Sequence, residues 1–393
     1  MPTRVAIVSN ALTPYRIQLH VRIADECPDL ELWSLFTHEH SNAPWNLHAP
    51  DRIRPVFFGH GEESLKQGFV RRPLHEIRKA RRIEKHLSQN AVDAVILFGY
   101  NDWCRLHLIE WCRRRNIPCF IFGDSNALCE GGLKARIKHL LLPPILARSS
   151  GAMYCGSRGA EYFRSYGVPD EKLFPFPYEP EYTQVSGASR AECEAALQEF
   201  GLPTGRRRIL YSGRLAPVKR VDLLIAAFHV LAEERPDWDL VVAGDGSERA
   251  NLTTMVIPSL RNRVKFVGFI NGTDSLAAIY GVSDVLVLPS DFEPWGIVVT
   301  EAATGLALVC SSRVGAAIDL IQNQRNGLIF EAGNRTALVA ALREVTDPLN
   351  IDRMKAASPG VLAGWRARTD PIAGLRKALR SVGLSADVAR QSA

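Results

Sequence analysis

Short apolar runs of four to seven residues alternate with longer amphipathic stretches through nearly the whole chain, and the pattern starts afresh near residue 208. Such alternation predicts parallel sheets joined by crossover helices, with strands buried on both faces and therefore apolar throughout. In the first half the strand candidates are Arg4–Ser9, Leu30–Phe36, Ala94–Phe98, Cys119–Phe122 and Ala152–Cys155, with helices such as Arg16–Glu26, Leu74–Leu87 and Arg105–Arg115 between them. In the second half the strands are Arg208–Ser212, Leu240–Ala243, Val264–Val267, Val285–Pro289, Ala307–Ser311 and Gly327–Phe330. The helices there are Arg220–Glu234, Ser275–Gly281, Val298–Gly305 and Arg335–Thr346.

A chain of 393 residues is longer than one core usually sustains, so two doubly wound α/β domains are expected. The first spans 1–180, the second 206–360, and the segment 181–205, introduced by Pro175, Pro177 and Pro180 and closed by Pro203, is the expected hinge. A tail helix at about 365–385 is expected to pack back on the first domain. Two such sheets facing each other across a cleft bind ligands outside the carboxyl ends of their strands, so chemistry is sought in the loops that follow strands.

Hydrophobic residues make up 46% and charged residues 23%, which excludes a disordered or fibrous chain. The apolar run Leu140–Leu146 is too short to span a bilayer and contains Pro143 and Pro144. The N-terminus enters Val5–Val8 at once, without the charged region and longer apolar stretch of a leader, so a cytoplasmic location is expected. Cysteines 27, 104, 112, 119, 129, 155, 193 and 310 form no C-x-x-C pair, and the histidines have no ligand spacing, so neither a zinc site nor any catalytic metal is expected. Net charge is +6, with basic residues concentrated at 71–85 and 113–115; a solvated helix face is the plain reading, and contact with an anionic membrane surface the functional one.

Two loops carry the chemistry. After Arg208–Ser212 comes Gly213-Arg214-Leu-Ala-Pro-Val-Lys219: a glycine that permits close approach and two cations ahead of a helix suit a diphosphate. After Val285–Pro289 comes Ser290-Asp-Phe-Glu293-Pro-Trp295-Gly296, then a helix holding Glu301, whose carboxylate can accept both hydroxyls of a ribose. The plain alternatives are surface charges for Arg214 and Lys219, a solvated Glu301, and a capping box formed by Ser290 and Glu293. Gly244-Asp-Gly246 lacks the third glycine of a dinucleotide fingerprint, Asp237-Trp-Asp239 lies in a turn, and Gly156-Ser157 lacks a nucleophile elbow.

The second half resembles the family 4 retaining glycosyltransferases of the GT-B fold. Gly213-Arg214-Leu with Lys219, Gly244-Asp-Gly246, Val264-Lys265-Phe-Val-Gly268, the pair Glu293 and Glu301 at E-x7-E spacing, and Asn326-Gly-Leu-Ile-Phe330 occur in that family's order over about residues 208–345. The resemblance implies that Arg214 and Lys219 hold the donor diphosphate, Glu301 the ribose and Glu293 the donor sugar. It further implies that Ile297 and Val298 offer amides to a phosphate, that main chain at Lys265 meets the base, and that Gly213, Gly244, Trp295 and Gly296 complete the donor site. The family's Gly-Leu-Pro-Val is Gly305-Leu-Ala-Leu here, and its Gly-Gly followed by an acid is Gly315-Ala316 with Asp319.

In the first half Thr13-Pro14-Tyr15-Arg16 resembles a subgroup with Pro-Tyr-Arg in the first loop. Tyr15, Arg16, Asp124 and Asn126 are the acceptor-side candidates, with Asp124 also a candidate in catalysis; an N-cap or Asx turn is the plain reading of Asp124. The expected activity is transfer of a hexose-type sugar from a UDP- or GDP-sugar, without cofactor or metal. The expected acceptor is a lipid-linked saccharide in bacterial polysaccharide assembly, reached at the inner face of the membrane. A soluble natural-product acceptor, a nucleotide-sugar epimerase and a non-catalytic membrane scaffold are the alternatives; no nucleic acid is expected as partner.

Overall fold

The computed structural model describes residues 2–41, 45, 47–62, 73–126, 128 and 132–384. Arg71 and Arg72 of the basic stretch, Cys129 and the last residue of the expected tail helix lie outside them. Cα proximity divides the chain into a unit of Met1–Tyr178 with Thr369–Ala393 and a second unit of Glu179–Arg368.

In the first unit the strands are β1 (Thr3–Ser9), β2 (Leu30–Phe36), β3 (Pro55–Phe57), β4 (Ala94–Phe98), β5 (Cys119–Gly123), β6 (Gly151–Tyr154) and β7 (Leu173–Pro175). All pair in parallel, in the order β3-β2-β1-β4-β5-β6-β7. The helices are α1 (Pro14–Glu26), α2 (Pro73–Gln89), α3 (Trp103–Arg115), α4 (Gly132–Leu146) and α5 (Gly156–Ser165). The sequence did not point to β3 and β7, three residues each, because so short a run has no period of its own and is held by the strand beside it.

In the second unit α6 (Tyr182–Ser186) and α7 (Arg190–Glu199) precede β8 (Arg207–Ser212), α8 (Val221–Glu234), β9 (Trp238–Ala243), α9 (Arg249–Met255) and β10 (Val264–Gly268). Then follow α10 (Thr273–Gly281), β11 (Val285–Leu288), α11 (Ile297–Ala302), β12 (Ala307–Ser311), α12 (Ala317–Leu320), β13 (Gly327–Phe330), α13 (Arg335–Val345) and α14 (Ile351–Thr369). This sheet is also parallel, in the order β10-β9-β8-β11-β12-β13. Its central strands read as unbroken apolar runs because helices cover both faces: Ile209, Leu210, Leu240, Val241, Val285 and Leu286 are fully buried. Removing each such side chain from water is worth about 1.5–3 kcal/mol.

Residues 181–205, read from sequence as a linker, carry α6 and α7, which both pack on α10. Ser189 and Glu192 form a full capping box at the start of α7. The prolines punctuate these helices rather than loosen them. The last helix of the chain, α15 (Pro371–Ser381), belongs to the first unit: Ile372, Leu375, Ala378 and Leu379 are buried, and Gly374 lets it approach β7 so closely that a Cβ would lie 1.7 Å from the carbonyl oxygen of Pro175.

Candidate functional site

In each sheet the strand order reverses once, between β1 and β4 in the first unit and between β8 and β11 in the second. Loops leaving neighbouring strands in opposite directions open a crevice at such a point.

In the second unit the loop after β8 carries Arg214 and Lys219 and the loop after β11 carries Glu293. The Lys219 ammonium bonds the Glu293 carboxylate across 74 residues of sequence, with both side chains about five-sixths buried. A second tie runs alongside it: Arg220, in the left-handed region at φ 52°, bonds Asp291 at 3.1 Å, and the Asp291 amide donates to the Val218 carbonyl at 2.9 Å. Arg214 is exposed on the same loop, and its carbonyl accepts the Tyr211 hydroxyl at 2.9 Å. Burial pushes the Tyr211 hydroxyl well above its ordinary pKa, with the Glu293 charge adding to the effect. That hydroxyl is therefore a donor at any working pH.

The glycines have mechanical roles. A Cβ on Gly244 would lie 1.9 Å from the Gly213 carbonyl oxygen, and one on Gly246 would lie 2.3 Å from that of Leu215. The loop after β9 is thus laid flat against the Arg214 loop, with the Leu215 amide donating to the Asp245 carbonyl at 2.9 Å. A Cβ on Gly315 would meet the Pro294 carbonyl oxygen at 2.0 Å, so the glycine retained from the family's pair serves packing of the Glu293 loop. The Glu293 amide donates to Arg313, and the Gly315 and Ala316 amides donate to Glu293 and Trp295.

Glu293 is not part of a helix cap. The helix begins only at Ile297, after Gly296 at φ 92°, so the capping box that the Ser290–Glu293 spacing allows is not formed. Ile297 and Val298 are its first residues, whose amides have no acceptor within the helix. Glu301 lies one turn further in. Burial pushes its carboxyl above the usual carboxylate range, and the Tyr280 hydroxyl, donating to Oε2 at 2.7 Å, works in the other direction. Trp295 differs from its expected part: its indole is buried against Trp365 at 5.2 Å and donates to the Thr300 hydroxyl at 3.2 Å. Lys265 lies on the outer strand β10, two strands from the reversal point.

The first unit gathers its own cluster. Arg16, in the first turn of α1, donates to the Ala11 carbonyl at 2.8 Å and hydrogen-bonds Tyr178. Its guanidinium lies 5.9 Å from the ring centres of both Tyr15 and Phe98. Burial works against its charge, yet Tyr178, Tyr15 and Asp124 more than offset that, and its pKa lies above the ordinary value. Tyr15, Arg16 and Asp124 are thus brought together, whereas Asn126 is buried and its side-chain oxygen accepts the Leu128 amide at 3.2 Å, an Asx turn. At the strand reversal, Arg105 fills its donors with Phe98, Asp102, Asn10 and Thr37.

Tyr280, Tyr178 and Tyr211 went unnoticed in the sequence, since a buried aromatic at helical or strand spacing reads simply as core. Among the described residues two groups could hold a metal ion, Glu62 with His75 and Glu76, and Glu76 with Asp102 and Cys104. In the first the buried Lys79 ammonium already bonds Glu62 at 2.6 Å and Glu76 at 3.1 Å, and in the second Asp102 is taken by Arg105. Among the described residues no helix is long and apolar enough to cross a membrane.

Residues 194–355 match the family model for glycosyl transferases group 1. The chain is 38% identical over 159 residues to a GDP-mannose-dependent alpha-mannosyltransferase of Mycolicibacterium smegmatis, 40% of each chain. It is 29% identical over 230 residues to an alpha-D-kanosaminyltransferase of Streptomyces kanamyceticus, 57% of this chain and 58% of that one. The chain spans only about a third of the length of the first curated relatives that it matches. In fold it is similar to Anabaena HepE, solved with UDP and glucose, at a TM-score of 0.72 and 16% identity over 97% of this chain and 99% of the other. The architecture is that of the GT-B glycosyltransferases, two parallel-sheet α/β domains.

Proposed function

We propose that the chain is a retaining glycosyltransferase that moves a hexose-type sugar from a UDP- or GDP-sugar to a hydroxyl of a lipid-linked saccharide, as in bacterial polysaccharide assembly. One observation carries this reading: the Lys219–Glu293 pair joins the two loops at the strand reversal of the second unit, with Arg214 exposed beside it. The match of residues 194–355 to the group 1 glycosyl transferases supports it. So does the likeness in fold to a protein solved with UDP and glucose. Donor binding in the second unit leaves the Arg16–Asp124–Tyr178 cluster of the first unit for the acceptor side.

In the reaction the acceptor oxygen bonds the anomeric carbon on the face from which the nucleotide departs. The bond from that carbon to the diphosphate oxygen breaks with its electron pair going to the diphosphate, which also takes the acceptor's proton. Arg214 and Lys219 stabilise the charge growing there, the kind of fixed electrostatics that often dominates catalysis. Glu293 orients the donor sugar and Glu301 holds the ribose; the nucleotide sugar is a substrate, and no metal or cofactor takes part.

A thermal-shift screen over UDP- and GDP-sugars identifies the donor, since a ligand bound only by the folded chain raises its melting temperature. With that donor, R214A and K219A are each expected to lower kcat by about 100-fold or more. Undiminished transfer by both overturns the assignment, and donor turnover without any acceptor favours an epimerase instead. Transfer in the presence of EDTA checks the metal-free reading.

A further inference from the structure

On α4, Ile137, Leu140 and Leu141 stand at i, i+3 and i+4, which places them on one helix face, and they are 48%, 77% and 60% exposed. Clustered exposed aliphatics of this kind mark a surface that meets something apolar. The other side of the helix is seated, with Leu142 and Leu146 in the core of the first unit. At about 100° per residue, Arg136 falls on one flank of the aliphatic stripe and Arg148 continues its line just past the helix end, while on the other flank the Lys138 ammonium is turned onto the buried Tyr162 ring at 4.7 Å, so Arg136 and Arg148 are the cations of this face. Arg148, Arg113 and Arg114 share the single carboxylate of Glu110, so that end keeps a surplus of positive charge.

We propose that this face of α4 docks on an anionic lipid surface, the aliphatic stripe entering the interfacial layer and the flanking cations meeting headgroup phosphates. The charges choose the occupant. A two-fold contact with a second copy would bring two copies of this cationic face together, whereas an anionic bilayer complements it. The basic helix α2 offers no such face: among its described residues Leu74 is the exposed large aliphatic, and Lys79 is buried between two glutamates. The proposal deepens the lipid-linked acceptor reading and rests on it for its purpose, while its measurement is independent of donor chemistry.

The test is co-sedimentation of the full chain with phosphatidylcholine vesicles, with and without phosphatidylglycerol. Pelleting is expected with the anionic vesicles and is expected to fall as salt is added. L140E/L141E, and separately R136E/R148E, should each lower the bound fraction at least about tenfold. Melting temperature and the thermal shift with the nucleotide sugar guard against misfolding, and L140S/L141S serves if the glutamates disturb the fold. A chain that stays in the supernatant with both vesicles overturns the proposal, as does full binding by a folded L140E/L141E. Loss of a dimer in L140E/L141E, with no vesicle binding by the parent, overturns it in favour of a second copy.

Discussion

The charge of Glu301 leans on one neighbour. To accept two ribose hydroxyls a carboxylate must be ionised, and burial pushes this one towards its neutral form. The Tyr280 hydroxyl opposes that by donating to Oε2 at 2.7 Å. On the proposed assignment of Glu301 to the ribose, Tyr280 is a positioning residue, acting through Glu301. A hydrogen bond to a charged group is worth about 1.5–3 kcal/mol, so Y280F should weaken nucleoside diphosphate binding about tenfold or more. It should raise KM for the donor with little change in kcat, and the loss of affinity on acidification should begin at a higher pH. Titration calorimetry between neutral and mildly acidic pH reads all of this except the rate. A purely structural tyrosine would lower the melting temperature and leave the pH profile where it was.

At the scale of elements, the loops at the strand reversal owe their shape to backbone pressed on backbone. Gly244 at φ 133°, with 1.9 Å between its missing Cβ and the Gly213 oxygen, holds the Arg214 loop at a distance no other residue permits. G244A should therefore cost about 1–3 kcal/mol through combined overlap and strain, and should weaken donor binding in parallel because Arg214 moves with the loop. Thermal melts and donor titration of the same protein check the two together; an unchanged affinity would separate the loop from the site. Helix α14 shows the same rule from the other side. The sequence reading places a helix here only at about 365–385, past Pro359, yet α14 runs from Ile351 through that proline. Met354, Val361, Leu362 and Trp365 are buried, the Ser358 hydroxyl donates to the Leu306 carbonyl at 2.6 Å, and this packing outweighs the backbone bond that proline removes.

For the molecule as a whole, the first unit depends on the end of the chain. Helix α15 is seated on β7 and α1 and tied by Arg376 to Asp29 at 2.9 Å and by Asp370 to Arg22 at 3.0 Å. Removing residues 369–393 should take away the four buried apolar side chains of α15, uncover the β7 and α1 surface they pack on, and lower the first unit's stability by several kcal/mol, read as an early, separate melting transition. Acid should act on the same unit. Burial lowers His20 to about 3 and His38 to about 4, so between neutrality and those values the unfolded chain takes up protons that the native chain refuses. Stability contributed by these neutral imidazoles is complete above about pH 6.5 and is lost as pH falls, by about 2 kcal/mol per histidine at pH 5. Melting temperatures at pH 7 and pH 5 measure the loss, and H20Q should remove about half of it.

The two-sheet architecture, and the loops proposed to bind the donor, were legible in the order of residues along the chain. Buried parallel strands must be apolar runs, crossover helices must be amphipathic, and Gly213, Arg214, Lys219, Glu293 and Glu301 stand in order after those runs. Which of these residues touch came from folding alone. The pairing of Lys219 with Glu293, Tyr280 with Glu301 and Arg16 with Tyr178 and Asp124 follows from strand order, and local periodicity holds no record of which strands become neighbours. The same holds for Trp295, whose place in a loop motif suggested a ligand contact and whose ring the fold turned inward onto Trp365. It holds too for the exposed stripe on α4, where the sequence has only an apolar run with two prolines, because exposure depends on what the rest of the unit leaves uncovered.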